Sequence, residues 1–212
     1  MHRNISASFT MLIALSSLDT FAASSLDLAV SGRITLSACT PALGAGGVVD
    51  FGKIAAKDLV ADSSTWLPDT IVQLRVSCRA PTLFALRAKD NRAGTAHKDD
   101  GYGYGMGLIN GGQKIGTYLL TVRNPVSDTA SLIPLTRTSN SEFWWGFPHG
   151  VFLTWHSLAA FGASGAGVPV PIALAEVTAD LMIQASIAPA SGLTLDREVP
   201  LDGSATLEVI YL

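Results

Sequence analysis

The stretch SLDLAVSGRITLSAC, residues 25–39, places Leu26, Leu28, Val30, Gly32, Ile34, Leu36 and Ala38 at every second position. Ser25, Asp27, Ser31, Arg33, Thr35 and Ser37 fill the gaps, with Ala29 the one exception. A period of two belongs to a half-buried β-strand, not to a helix. At ~3.3 Å per residue, residues 25–38 would span roughly 46 Å, whereas strands ordinarily run about 3–10 residues. The run is therefore too long for one strand of one small domain. Either it bends at Gly32, or its first half pairs somewhere other than on its own domain.

Composition narrows the class. The 212 residues suit one domain with a sizeable core. Hydrophobic residues make up 48% and charged residues 15%, which excludes a disordered chain. Twenty Gly and ten Pro, scattered without period, punctuate many short segments and favour an all-β sandwich or barrel over a helical bundle. A formal net charge of −3 offers no basic field, so nucleic acid is not an expected partner.

Residues 1–22 read as a secretory signal peptide. His2 and Arg3 form a thin basic start, FTMLIALSSL (residues 9–18) an apolar region, and Thr20-Phe21-Ala22 a small-x-small cleavage site. The apolar run is half the length a membrane anchor needs, and no later segment is expected to insert into a membrane. Residues 158–175 are apolar but carry Gly162, Gly165, Gly167, Pro169 and Pro171, and are expected to form a loop leading into a strand. Export makes the cysteine count informative. The only two, Cys39 and Cys78, each close a strand-like run, and in an oxidising compartment they are expected to form one disulfide.

Short strands are expected at residues 48–51, 71–78, 83–88, 106–109, 117–122, 132–135, 151–155, 173–177 and 181–187, with Pro81 turning the chain and Gly111-Gly112 marking a hairpin. The last segment, GSATLEVIYL (residues 203–212), repeats the opening pattern: Ala205, Leu207, Val209 and Tyr211 face one way, Ser204, Thr206 and Glu208 the other. A strand of this kind presents a long pairing edge, which proteins normally block.

An overlong N-terminal strand and an open C-terminal one suggest a common solution. If the sandwich lacks one strand, the segment around Leu26–Gly32 could fill the gap on a neighbouring copy. Backbone hydrogen bonds would then supply pairing and alternate side chains register. Donor and groove lie on different surfaces, so the contact would propagate as an open filament.

On these residues the chain resembles the subunits of chaperone–usher fimbriae. Gly32-Arg33-Ile34 followed by Cys39 is similar to a pilin donor strand running into the first strand, Cys78 matches the usual disulfide interval, and residues 203–212 look like the pilin C-terminal strand with its penultimate tyrosine. CTPALGAGGVVDFGKI (residues 39–54) and ALRAKDNRAGT (residues 85–95) look like motifs of an uncharacterised fimbrial-like branch of that superfamily. The resemblance implies an all-β, incomplete immunoglobulin-like β-sandwich missing its last strand, spanning residues 34–212, with residues 23–33 as a protruding donor strand. It further implies transit through the periplasm with a chaperone, export through an outer-membrane usher, and assembly with neighbouring subunits at the cell surface. Leu26, Leu28, Val30 and Gly32 would be donor residues. Gly203, Ala205, Leu207, Val209 and Tyr211 would form the acceptor strand, taken first by the chaperone.

No catalytic, cofactor or metal motif survives inspection, and an enzyme is not expected. GYGYGMG (residues 101–107) lacks the spacing of a phosphate loop and has no following helix. Gly162-Ala163-Ser164-Gly165 fails as a nucleophile elbow because Ala166 stands where glycine is required. His97 with Asp99 and Asp100, and the separated pair His149 and His156, fit solvated loops better than a metal site. FWWGF (residues 143–147) remains. Adjacent residues of a strand point to opposite faces, so one of Trp144 and Trp145 is expected inside and the other exposed, where it could stack on a sugar. Both are candidate ligand contacts, and a tip subunit acting as a carbohydrate-binding adhesin is the alternative function.

Overall fold

Apolar residues recur at every second position through most of the chain, and in the computed structural model they build strands. The structure describes residues 38–98, 100–165 and 167–212. The signal-peptide and donor-strand expectations, with Leu26, Leu28, Val30 and Gly32, lie outside the described residues. In chain order the strands are β1 (Cys39–Leu43), β2 (Thr65–Trp66), β3 (Thr70–Thr82), β4 (Phe84–Asp90), β5 (Tyr104–Gly105), β6 (Leu108–Ile109) and β7 (Gln113–Lys114). They continue with β8 (Gly116–Val126), β9 (Leu132–Thr138), β10 (Trp145–Gly146), β11 (Val151–Phe152), β12 (Ser157–Ala163), β13 (Leu174–Ile187) and β14 (Ala205–Tyr211). Three 3-10 turns are the only helical elements among the described residues.

Two antiparallel sheets pack face to face as an immunoglobulin-like sandwich. One runs β1-β3-β13-β8-β11, with β2 extending it beside β13 and β5 beside β8; the other runs β10-β9-β12-β4-β14. Val72, Leu74 and Val76 of β3, Leu120 and Val122 of β8, and Val177, Ala179, Leu181 and Ile183 of β13 face inward. They meet Phe84 and Leu86 of β4 and Ala159 and Phe161 of β12 in one core. The alternate positions of β3 are exposed, which is the pattern expected of a sheet solvated on its outer side. Cys39 and Cys78 sit directly opposite each other on β1 and β3 and are joined by the disulfide.

Several local expectations are corrected. Residues 48–51 alternate as a strand does but pair with nothing among the described residues. The first part of residues 158–175, expected as a loop, belongs to the central strand β12. Gly162 is there because Leu135 Cδ1 and the Val170 carbonyl would each lie 2.8 Å from a Cβ at that position, a close approach only glycine permits. The two expected late strands are one, β13, because Ala179 carries the inward pattern between them while Glu176, Thr178 and Asp180 face outward. Pro81 does not end β3; it sits where the register against β13 jumps from Ser77↔Glu176 to Thr82↔Leu174, a bulge that needs no proline N–H.

Candidate functional site

The sandwich is open along one side. β1 pairs only with β3 and β14 only with β4 among the described residues, so each sheet ends there in a free edge. Between the edges lies a cleft of about 720 Å³. Its floor is the core itself: Val72 from β3, Leu120 from β8, and Leu181, Ile183, Ala185 and Ile187 from β13. These side chains face inward because of strand parity, and each is 8% exposed or less, covered from this side by the rims alone.

Two extended segments form the rims. After β1, residues 49–54 place Val49, Phe51 and Ile54 toward the cleft; before β14, residues 193–201 place Leu193, Leu195, Val199 and Leu201 toward the core. Both rims have the alternation of strands, yet neither joins a sheet. Among the described residues, no backbone N–H or C=O of residues 49–54 or 195–201 bonds to another segment. Apolar side chains aimed into a cleft, flanked by unpaired backbone, are what an added β-strand requires.

The rims are fixed to different degrees. Asn110 Nδ2 donates to the Thr194 carbonyl at 2.7 Å, the Thr194 N–H donates to Gln113 Oε1 at 3.0 Å, and Arg197 donates to Asn110 Oδ1 at 3.0 Å. At its far end the Asp202 N–H donates to the Met106 carbonyl, and Arg92 clamps both Asp202 carboxylate oxygens at 2.9 and 2.8 Å. The hydrogen bonds from Arg92 lower the Asp202 pKa below the usual carboxylate value. Among the described residues the other rim has no such anchors. One ion pair crosses between the rims, Lys53 Nζ to Glu198 Oε1 at 2.8 Å, with both side chains almost fully exposed.

At one end of the cleft Tyr118 stacks on Tyr104 with ring centroids 5.2 Å apart. Gly203 passes so near that a Cβ there would lie 2.9 Å from Tyr118 Cε1. Burial first, then the Asp90 charge, raises the pKa of both tyrosines. Beyond the cleft the Cys39 N–H donates to the Tyr211 hydroxyl at 2.9 Å, linking β1 to β14.

The residues read from the sequence distribute accordingly. Gly203, Ala205 and Leu207 line the cleft. Val209 packs on the core beyond it, and Tyr211 is exposed beside β1. Trp144 is half-buried over a small apolar cluster on the outer face of the second sheet, formed by Ala85, Leu135 and Ala160, with the Arg137 guanidinium 4.9 Å from its ring. Trp145, on edge strand β10, is 62% exposed. His149 and His156 join no group of potential metal ligands among the described residues. The rim at residues 193–201 was missed, although Leu193, Leu195, Val199 and Leu201 recur at even spacing; the charges at Asp196, Arg197 and Glu198 hide it.

Comparison with known proteins gives relatives of the same extent. Residues 28–104 match the model of a family described as protein of unknown function (DUF1120). The chain is 29% identical over 226 residues to Protein GltF of Escherichia coli (strain K12), an alignment covering 88% of each chain. It is 25% identical over 240 residues to the uncharacterized protein YhcF of the same strain, covering 95% of this chain and 98% of the relative. The matched residues contain both cysteines, β1 and the first rim of the cleft, while β14 and the second rim lie outside them.

Proposed function

We propose that the chain is a structural subunit of a cell-surface fimbria, exported by its signal peptide and assembled by donor-strand exchange along a chaperone–usher route. The observation that carries this reading is the apolar cleft between β1 and β14, flanked by backbone that has no partner among the described residues. A periplasmic chaperone would first lend the cleft a strand, and the outer-membrane usher would exchange it for residues 25–33 of the next subunit. Seating Leu26, Leu28 and Val30 over the floor would contribute about 4.5–9 kcal/mol gross. Lost translational freedom and strand ordering reduce that figure.

Moving residues 25–38 to the C-terminus behind a flexible linker tests the reading. The relinked chain is expected to be a soluble monomer that melts well above a chain lacking those residues. Equal melting temperatures would refute the cleft as a strand acceptor.

A second reading, a minor or tip subunit that binds carbohydrate, has one favourable observation: Phe143 and Trp145 are 71% and 62% exposed on and beside edge strand β10. Stacking on sugar rings would then depend on Trp145. Glycan-array binding abolished by Trp145→Ala supports it, and an array without any bound glycan counts against it.

A further inference from the structure

The two rims of the cleft are not equivalent, and the difference has a mechanical meaning. Residues 193–203 are tied down by Asn110, Gln113, Arg92 and the Met106 carbonyl. Residues 44–59 are held differently. Among the described residues their backbone hydrogen bonds are all local: Val48 to Ala45, Gly52 to the Asp50 side chain, Asp58 to Ala55, and Leu59 to Ala56. Among the described residues, too, backbone bonds anchor the segment at its ends alone, by the β1–β3 ladder through Leu43↔Leu74 and by Ala190 and Ser191 donating to the Val60 and Ala61 carbonyls. Ala45, Gly46 and Gly47 stand in succession at φ of 51, 63 and 75°, a hinge at the point where the segment leaves β1. Between hinge and anchor it rests on the core through Val49, Phe51, Ile54 and Leu59 alone.

We infer that residues 44–59 are a hinged strap over the cleft, with the Lys53–Glu198 pair as its clasp to the fixed rim. This deepens the strand-acceptor reading and rests on it: an incoming strand lies beneath the strap, between Phe51 and Ile54 on one side and Leu195 and Val199 on the other. The clasp can do this because its two side chains are long. Rims that admit one strand stand about two strand spacings, roughly 9.6 Å, apart, and a lysine meeting a glutamate reaches across such a gap. Because both charged groups are in solvent, the pair opens easily and closes easily, and salt weakens it. The strap thus governs how fast a strand enters and leaves more than how strongly it binds.

The test uses a fluorescent peptide of residues 25–38 and the full chain carrying Lys53→Cys and Glu198→Cys. The native cysteines are paired, so a short bismaleimide joins only the introduced thiols. Cross-linked before addition, the protein is expected to load peptide at least tenfold more slowly than the unlinked form. Cross-linked after loading, it is expected to release peptide at least tenfold more slowly. Lys53→Glu is expected to speed release about two- to fivefold at low salt and little at high salt, with the exchange Lys53→Glu/Glu198→Lys restoring the original rate. Loading and release unchanged by the cross-link would overturn the strap while leaving the acceptor reading intact. Absence of peptide binding by the unlinked protein would overturn the acceptor reading itself, and the strap with it.

Discussion

At the scale of single residues, the end of the cleft is set by Tyr104, Tyr118 and Gly203. The Tyr104 hydroxyl donates to the Leu153 carbonyl at 2.7 Å, and burial raises the pKa of both phenols. A folded-state pKa above the unfolded value of about 10 means that stability is fully present below pH 10. It is lost as pH rises, because the unfolded chain gives up protons that the folded chain keeps. Denaturant melts followed from pH 8 to 12 are therefore expected to show a flat stability up to pH 10 and a fall beyond it. The slope approaches about 2.7 kcal/mol per pH unit for the two rings together. Replacing both by Phe should remove most of that slope, and a slope unchanged by the replacement would contradict the assignment. Strand parity leads one to expect one tryptophan of the pair in the core, yet Trp144 precedes β10 and packs half-buried on the outer face of the second sheet, while Trp145 is exposed. Which ring packs is not legible, because the cluster of Ala85, Leu135 and Ala160 under Trp144 comes from three different strands.

Among the elements, β1 and β14 matter most, since they bound the cleft. β1 is five residues long, lies at an edge, and is half-exposed. Its attachment to the body depends on the ladder to β3 and on the Cys39–Cys78 bridge, which closes a separation of 39 residues. In the chain-entropy account such a bridge contributes roughly 4 kcal/mol. Cys39→Ala/Cys78→Ala is expected to lower stability by about 2–4 kcal/mol and, before global unfolding, to speed hydrogen exchange in β1 more than in β13. Uniform exchange across both strands would show that the bridge does not single out the rim. The sequence made β14 plain, because its alternation is clean. It made β12 obscure, since glycine and proline in residues 158–175 read as breakers when Gly162 is demanded by close packing. Residues 48–51 are legible as alternation and are expected as a strand, which the structure does not form. Alternation reports which way side chains point, and whether a neighbouring strand exists is decided elsewhere in the chain.

For the whole molecule, the fold class was accessible because periodicity, glycine and proline distribution and the cysteine positions agree on a sandwich. A gap beside the last strand is expected from the two ends of the chain, but its floor is not legible, because it consists of residues such as Leu181 and Ile183 that any reading assigns to the core. They are buried, and they line the cleft only because two sheet edges end beside them. If the donor segment of one copy occupies the cleft of the next, the contact is heterologous and does not close. Size-exclusion chromatography with light scattering of the exported chain is then expected to show an open-ended ladder of masses. A chain lacking residues 23–33 should run as a monomer, and a ladder persisting in that shortened chain would exclude the donor segment as the link.

The hydrogen bond from Cys39 to Tyr211 joins positions 172 residues apart. The two walls of the cleft are thus supplied by segments far apart in the chain, and its floor by three strands between them. If the chain is exported as proposed, entering from its N-terminal side, every other strand pair described above can form while β14 is still absent. The cleft cannot. It comes into existence only once β14 is in place, so a partner that recognises it would sample only chains delivered through Tyr211. The open side of the sandwich would thereby report that β14 has joined β4.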